Sequence, residues 1–218
     1  MTGERAITRR AAIAGTCAAA AAATLGSAGL CAVEALAQGG PEQTAAPSSH
    51  VTGQLGFAVN VQRCINCGNC EEACRLWNRT QEGERSRRTI SVQHDMYGRE
   101  VYVSTSCMHC ETPSCATVCP AGAISKGEGG IVSVDKNLCI GCKYCYQACP
   151  YGVPHYNAAG MDKCDFCTHA DVPLGEAPRC VRACKTGALR YGTMDELLTK
   201  SKRARQLEGP TSPSCVLL

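Results

Sequence analysis

The chain is predicted to adopt an α+β fold of two paired modules, built from short strands, hairpins and loops and followed by a C-terminal helix. Three observations predict it. Cysteine supplies 19 of 218 residues, whereas Trp, Tyr and Phe supply one, seven and two, so apolar packing alone does not organise the chain. Sixteen of the cysteines fall into four groups of four with a repeated spacing. Between the groups, apolar residues alternate over a few positions and break at glycine-containing turns, the pattern of short strands. Charge is nearly balanced, with 22 Lys and Arg against 19 Asp and Glu and a formal net charge of +3. That excess is too small and too evenly spread for nucleic acid to be the partner, which leaves metal or disulfides as the organising chemistry.

Residues 1–37 are read as a twin-arginine-type signal segment. The first ten residues carry three Arg and one Glu, residues 11–33 carry no charge, and Ala35-Leu36-Ala37 supplies a small-x-small cleavage pattern. Thr8-Arg9-Arg10 stands directly before the apolar run, as in signals of the pathway that exports folded proteins. Ala11-Ala12-Ile13 follows where that motif has a bulky apolar residue and often a Lys, so the match is partial. The 23 uncharged residues are long enough for an uncleaved anchor, but Ala and Gly make them weakly hydrophobic. The cleavage pattern favours removal, which takes Cys17 and Cys31 away. Residues 38–56 are rich in Gly, Pro, Ser, Thr and Ala without apolar periodicity and are expected to be a flexible linker. At the other end, Cys215-Val216-Leu217-Leu218 matches a prenylation pattern. That modification is eukaryotic and contradicts bacterial export. Cys215 is therefore expected to be a spare thiol in a frayed tail. The expected location is the bacterial periplasm or the outer face of the cytoplasmic membrane, held there through a partner.

The quartets are Cys64, Cys67, Cys70 and Cys74; Cys107, Cys110, Cys115 and Cys119; Cys139, Cys142, Cys145 and Cys149; and Cys164, Cys167, Cys180 and Cys184. Each opens with Cys-x2-Cys and closes with Cys-x3-Cys. The first and third are complete C-x2-C-x2-C-x3-C runs, and Pro120 and Pro150 follow the last cysteine of the second and third, as in bacterial ferredoxins. Three thiolates two residues apart can wrap one side of a cubane cluster in a tight loop, and the fourth comes from elsewhere. In two-cluster ferredoxins the last cysteine of each run ligates the other cluster. Four runs therefore imply four [4Fe-4S] clusters in two bacterial-ferredoxin-like pairs, with all sixteen cysteines as iron ligands. Structural zinc takes two Cys-x2-Cys pairs about 15–20 residues apart, and only the last quartet, with twelve residues between Cys167 and Cys180, comes near. Disulfides explain an even count but neither the repeated spacing nor the prolines. A protein that acquires its clusters in the cytoplasm has to cross the membrane folded, which agrees with the signal.

The intervening segments are expected to be short. Residues 57–61 alternate into the first quartet as a half-buried strand. Residues 89–95 and 100–104 flank Met96-Tyr97-Gly98-Arg99 as a hairpin, and residues 123–125 and 131–134 form another around Gly127-Glu128-Gly129-Gly130. Thr193 is expected to cap the C-terminal helix, with Asp195 and Glu196 in its first turn and Lys200, Lys202, Arg203 and Arg205 in its last. His109 either donates to a cluster sulfide or faces solvent in a turn, while His94, His155 and His169 stand isolated. Arg85, Arg87 and Arg88 read as a solvated loop, or as a face toward an acidic partner or lipid headgroups. No Cys/His nucleophile arrangement, Gly-rich phosphate loop or haem Cys-x2-Cys-His occurs, so no catalytic residue is expected.

The order and spacing of the quartets resemble the four-cluster electron-transfer subunits of molybdopterin oxidoreductases. That family includes the iron–sulfur subunits of dimethyl sulfoxide reductase, formate dehydrogenase and polysulfide reductase. The resemblance spans about residues 57–192. It is carried by Cys107-Met108-His109-Cys110-Glu111-Thr112-Pro113-Ser114-Cys115, Val118-Cys119-Pro120-Ala121-Gly122-Ala123-Ile124, Cys139-Ile140-Gly141-Cys142-Lys143-Tyr144-Cys145, Ala148-Cys149-Pro150-Tyr151-Gly152 and Lys163-Cys164-Asp165-Phe166-Cys167. It implies a four-cluster domain over 57–192, with 57–106 and 160–192 forming one cluster pair and 107–159 the other; the helix and tail read from the residues follow over 193–218. It implies one cluster on Cys64, Cys67 and Cys70 with Cys184, and its mate on Cys164, Cys167 and Cys180 with Cys74. The second pair takes Cys107, Cys110 and Cys115 with Cys149, and Cys139, Cys142 and Cys145 with Cys119. Because all sixteen positions are cysteine, the nitrate-reductase branch with its three-iron cluster is not implied. Two features depart from many relatives: Lys185 follows Cys184 where Pro is common, and the chain brings its own signal.

The implied role is non-catalytic: single electrons pass through four clusters between an integral membrane quinone-reactive anchor subunit and a molybdopterin-containing catalytic subunit. The alternatives are a linker subunit of a hydrogenase or sulfur-metabolism complex, or a self-contained soluble ferredoxin. Removing residues 1–37 takes three Arg and two Glu from +3 and leaves +2. Each oxidised cubane with four thiolates carries about −2, so four clusters make the holoprotein about −6. The basic residues then serve to balance clusters more than to attract an anionic partner.

Overall fold

The computed structural model describes residues 51–218; the signal, its cleavage pattern, Cys17, Cys31 and most of the expected linker lie outside the described residues. Strand β1 (Leu55–Val59) buries all five of its residues. It lies between β8 (Leu189–Thr193), which is antiparallel to it, and β10 (Cys215–Leu217), which is parallel, with β9 (Arg205–Gln206) beyond β10. Alternate side chains of a strand face opposite ways. Leu55, Phe57 and Val59 enter a core that holds Phe166, Leu189 and several cysteine thiols. Ala58 faces the other way, onto Met194, Leu197 and Val216. A strand covered on both faces has no polar face to show, hence its uninterrupted apolar composition.

The ordered backbone starts earlier than the linker expectation. β1 begins at Leu55, and the Gln54 side-chain amide donates to the carbonyls of His109 and Gly130, a long-range tie that composition does not reveal. Gly56 is required by packing, because a Cβ there would meet the Ser214 carbonyl oxygen at 2.5 Å and Met194 Sδ at 2.6 Å. The C-terminus is not a frayed tail. Cys215 is 6% exposed and sits opposite Phe57 in the parallel pair, and burial pushes its thiol up to about 11.

Three hairpins surround this sheet: β2 (Thr89–His94) with β3 (Glu100–Thr105), β4 (Ile124–Lys126) with β5 (Val132–Val134), and β6 (His155–Asn157) with β7 (Gly160–Asp162). The first two agree with the sequence expectation. The third has only three residues per strand and little alternation. A boundary at residue 160 runs through it, whereas Met161 packs with Ile124, Val132 and Cys145 of the other half.

Four short helices carry the ends of the quartets: α1 (Asn69–Asn78), α2 (Ser114–Thr117), α3 (Tyr144–Ala148) and α4 (Arg179–Arg182). The Cys-x3-Cys spacing puts the last two thiols of each run on one side of a helical turn. Helix α1 packs against α4, and α2 against α3. Helix α5 (Met194–Thr199) begins in a capping box, in which Thr193 accepts from the Glu196 N–H and the Glu196 carboxylate accepts from the Thr193 N–H. It is shorter than its basic residues suggest: Lys202, Arg203 and Arg205 lie past its end, where a turn over residues 201–204 leads into β9. Among the described residues no helix is long and apolar enough to cross a membrane. Leu197 is fully buried beneath β1. Leu197→Ala is expected to cost about 2–5 kcal/mol, seen as a lower thermal midpoint of the intact protein, while Leu217→Ala at the more exposed edge costs much less.

Candidate metal centres

The quartets share an uncommon backbone feature. In each, the residue just before the second cysteine has positive φ: Asn66 at 53°, His109 at 40°, Gly141 at 69° and Phe166 at 58°. A left-handed residue curls the loop back on itself, which brings the two thiols of each Cys-x2-Cys to one side. Gly68 and Lys143 repeat the conformation just before α1 and α3.

The thiols then group across quartets. Cys64, Cys67 and Cys70 line one cavity together with Cys184. Cys107, Cys110 and Cys115 line a second with Cys149. Cys139, Cys142 and Cys145 line a third with Cys119. In the fourth group, Cys164 and Cys167 both lie within electrostatic reach of Cys180 and Cys74. Each group thus takes three cysteines from one run and the last cysteine of another. Among the described residues no three His, Cys, Asp or Glu side chains are close enough to hold a single metal ion. All seventeen cysteines there are free thiols.

Protein donors surround the sulfurs. Ser104 Oγ lies 3.4 Å from Cys70 Sγ, Tyr156 Oη 2.9 Å from Cys145 Sγ, and Thr211 Oγ1 donates to Cys110 Sγ at 3.1 Å. Asn78 Nδ2 donates to Cys74, and the backbone N–H groups of Ala123 and Leu189 donate to Cys119 and Cys184. Without metal, burial disfavours the thiolates: it pushes Cys115 and Cys167 up to about 11 and raises Cys164 well above an ordinary thiol. Cys184 goes the other way, because N–H and hydroxyl donors outweigh its burial. Binding of iron must therefore expel protons from most of these sites.

Two cations are buried beside the groups, and neither has a carboxylate partner among the described residues. Arg88 is 1% and Lys163 3% exposed. Lys163 donates to the carbonyls of Val132 and Cys164 and lines the Cys107 cavity. The Arg85–Arg88 stretch is accordingly only partly solvated: Arg85 is exposed and donates to the Gly152 carbonyl, whereas Arg87 pairs with Asp162 and Asp165 and Arg88 is buried. His109 is fully buried instead of facing solvent. Its Nδ1 accepts the Val132 N–H at 3.0 Å, so Nε2 carries the proton. His109 Nε2 and Arg88 Nε are buried donors without a protein acceptor, as expected where a polyanionic group belongs. His155 and His169, isolated in sequence, lie beside Asp162 and Asp165.

Two 4Fe-4S dicluster domain families match the chain, over residues 63–123 and 99–194. The B subunit of the anaerobic dimethyl sulfoxide reductase of Escherichia coli is 42% identical over 162 residues, covering 69% of this chain and 78% of the relative. The thiosulfate reductase electron transfer subunit of Salmonella typhi is 39% identical over 155 residues, covering 68% and 80%. The formate dehydrogenase iron-sulfur subunit of Wolinella succinogenes is 35% identical over 167 residues, covering 66% and 84%. The chain belongs to the iron–sulfur subunits of the molybdopterin oxidoreductases. Its two dicluster domains carry four [4Fe-4S] clusters, in a ferredoxin-like α/β framework.

Around these clusters, sequence reasoning finds the thiols but misses the residues placed beside them, Arg88, Lys163, Ser104, Tyr156 and Thr211. The only linear signal was the adjacency of Lys163 to Cys164. Ser104 and Thr211 lie 34 and 101 residues from the cysteines they approach. Protein isolated anaerobically is expected to contain about sixteen iron and sixteen acid-labile sulfide per chain, measured by metal and sulfide analysis; zinc or no metal would contradict the assignment.

Proposed function

We propose that this chain is the exported electron-transfer subunit that carries single electrons between a quinone-reactive membrane subunit and a molybdopterin-containing catalytic subunit. Each thiol group described above ligates one cluster. The clusters, when bound, supply one-electron redox chemistry and no bond-making step. The relatives support the role, since one is an electron transfer subunit of a reductase and another an iron-sulfur subunit of a dehydrogenase.

The observation that carries the proposal is the linear order of the four groups. Helices α1 and α4 hold the Cys64 and Cys164 groups together, and α2 and α3 do the same for the Cys107 and Cys139 groups. The two inner groups meet where Cys164 comes within electrostatic reach of Cys107 and the rings of Phe166 and His109 stack at 3.9 Å. The outer groups reach the surface: Cys67 and Cys142 are the exposed ligand cysteines among the described residues, one at each end. Ile65 and Ile140, at matching positions in those loops, are 65% and 70% exposed. A line open at both ends suits a relay between two partners. A soluble ferredoxin meeting one partner at a time does not need it.

The ligand assignment is tested with paired substitutions. Cys184→Ser and Cys64→Ser are expected to alter the same one of four reduced-cluster EPR signals, and Cys74→Ser and Cys164→Ser a different one. If Cys184→Ser instead tracks Cys164→Ser, the crossed grouping is wrong. Purification of the intact complex from periplasm-facing membranes is expected to recover a molybdopterin-containing chain. Recovery of a hydrogenase or haem subunit favours the linker alternative, and cytoplasmic fractionation overturns the export reading.

A further inference from the structure

Arg88 has an unusual environment for a guanidinium. It is 1% exposed and lies over the Phe57 ring, 4.2 Å from its centroid. Nη1 donates to Ser104 Oγ at 3.1 Å and to the Ser104 carbonyl at 3.3 Å, Nη2 donates to Ser106 Oγ at 2.9 Å, and Nε has no protein acceptor. Its neighbour Arg87 shows what a conventional pairing looks like here: two contacts to Asp162 at 2.7 and 2.8 Å and one to Asp165 at 3.3 Å. Arg88 has no such partner among the described residues. A buried guanidinium without a counter-charge is strongly disfavoured, so the negative charge that balances it must be something other than a carboxylate.

The sulfurs around it provide that charge. Burial works against the guanidinium, and the sulfurs of Cys180, Cys164, Cys70 and Cys74, once ionised as ligands, are the charges that offset it. These four belong to two different groups: Cys70 to the Cys64 group, the other three to the Cys164 group. Ser104 links Arg88 to the first directly, since its hydroxyl takes the Nη1 donor and lies 3.4 Å from Cys70 Sγ. The sulfurs that weigh most on Arg88 all belong to the Cys64 and Cys164 groups.

We propose that Arg88 is the shared counter-cation of the Cys64 and Cys164 clusters and holds both their reduction potentials up, leaving the other two clusters to be set independently. The proposal rests on the ligand grouping above. Reduction adds negative charge to a cluster, so a fixed positive charge nearby favours the reduced state. Because one charge serves both clusters, it moves them in the same direction and changes the step between them little.

The test is EPR-monitored redox titration of the iron-loaded complex, comparing wild type with Arg88→Met, Arg88→Lys and Ser104→Ala. Arg88→Met keeps a long apolar stem and removes the charge. It is expected to weaken reduction of two clusters at least about tenfold each, and these are the two whose signals Cys64→Ser and Cys164→Ser alter. The remaining two stay within error. Arg88→Lys restores most of the shift, and Ser104→Ala moves the Cys64 cluster alone. A full set of four signals with unchanged potentials in Arg88→Met overturns the proposal while leaving the relay intact, as does an equal shift of all four. Should Arg88→Met fail to retain iron, Arg88→Lys with wild-type potentials together with a selective Ser104→Ala shift supports it, and an unselective Ser104→Ala shift refutes it. A wild-type complex lacking four cluster signals refutes the underlying reading instead.

Discussion

Four thiols must surround one space, and no single run of this chain supplies all four. Most of the fold follows from that constraint. Three cysteines close to one another in sequence can line one side of a cavity, but the fourth arrives from a run that begins elsewhere. For the Cys64 group the chain must travel more than a hundred residues before Cys184 returns. Helices α1 and α4 have to pack together for that exchange to work, and so do α2 and α3. Strand β1, just before the first quartet, pairs with β8, just after the last. That sheet pins the two ends of the outer exchange. The C-terminal strand adds its own edge to β1 and sends Ser214 and Thr211 across to the His109 loop and Cys110, so the two cluster pairs are tied by ordinary hydrogen bonds as well as by their shared core.

Charge sets the second level of organisation. Clusters ligated by thiolates are anions in a poorly solvated interior, and the protein places cations to meet them. It places them selectively. Arg87, Lys136 and His155 converge on Asp162 and hold its carboxyl well below the usual range despite its burial. That carboxylate therefore absorbs the positive charge beside the hairpin, while Arg88 and Lys163 stay without a carboxylate and face the sulfurs. Two cations adjacent in sequence, Arg87 and Arg88, thus have opposite assignments. One neutralises a carboxylate, and the other is available to the metal centres.

These differences explain what could be read from the amino-acid sequence. Cluster ligation is a local code: Cys-x2-Cys and Cys-x3-Cys record the reach of a tight loop and one helical turn, so the sixteen thiols were visible as residues. Hairpins β2–β3 and β4–β5 were visible for a similar reason, since alternation and turn glycines are local too. Cys215 was not, because only its register against Phe57 makes the last residues a strand. Helices α2, α3 and α4 were not legible because four or five residues hold no periodicity, whereas in the ten residues of α1 the cysteine run masks the helical pattern. Arg88 looks like a surface residue in a run of polar neighbours, and for His109 the sequence left a cluster and solvent equally open; their burial depends on partners as distant as Phe57 and Phe166.

The repeat itself carries information about position in the line. One loop site, the residue before the second cysteine, takes the left-handed conformation in all four quartets. In the first and third it is Asn66 and Gly141, residue types that adopt this conformation at little cost, and their loops are the exposed ones. In the second and fourth it is His109 and Phe166, where a side chain with a Cβ costs about 1–2 kcal/mol in that conformation. Stacking of the two rings at 3.9 Å, with Phe57 at 4.9 Å and Tyr191 at 5.1 Å packed edge-on against Phe166, offsets the strain at the junction between the cluster pairs. The same site in the same motif therefore marks an outer loop when it is Asn or Gly and an inner one when it is aromatic. An aromatic residue at the outer sites would expose a ring to solvent, and a glycine at the inner ones would leave a gap where the two halves of the relay meet.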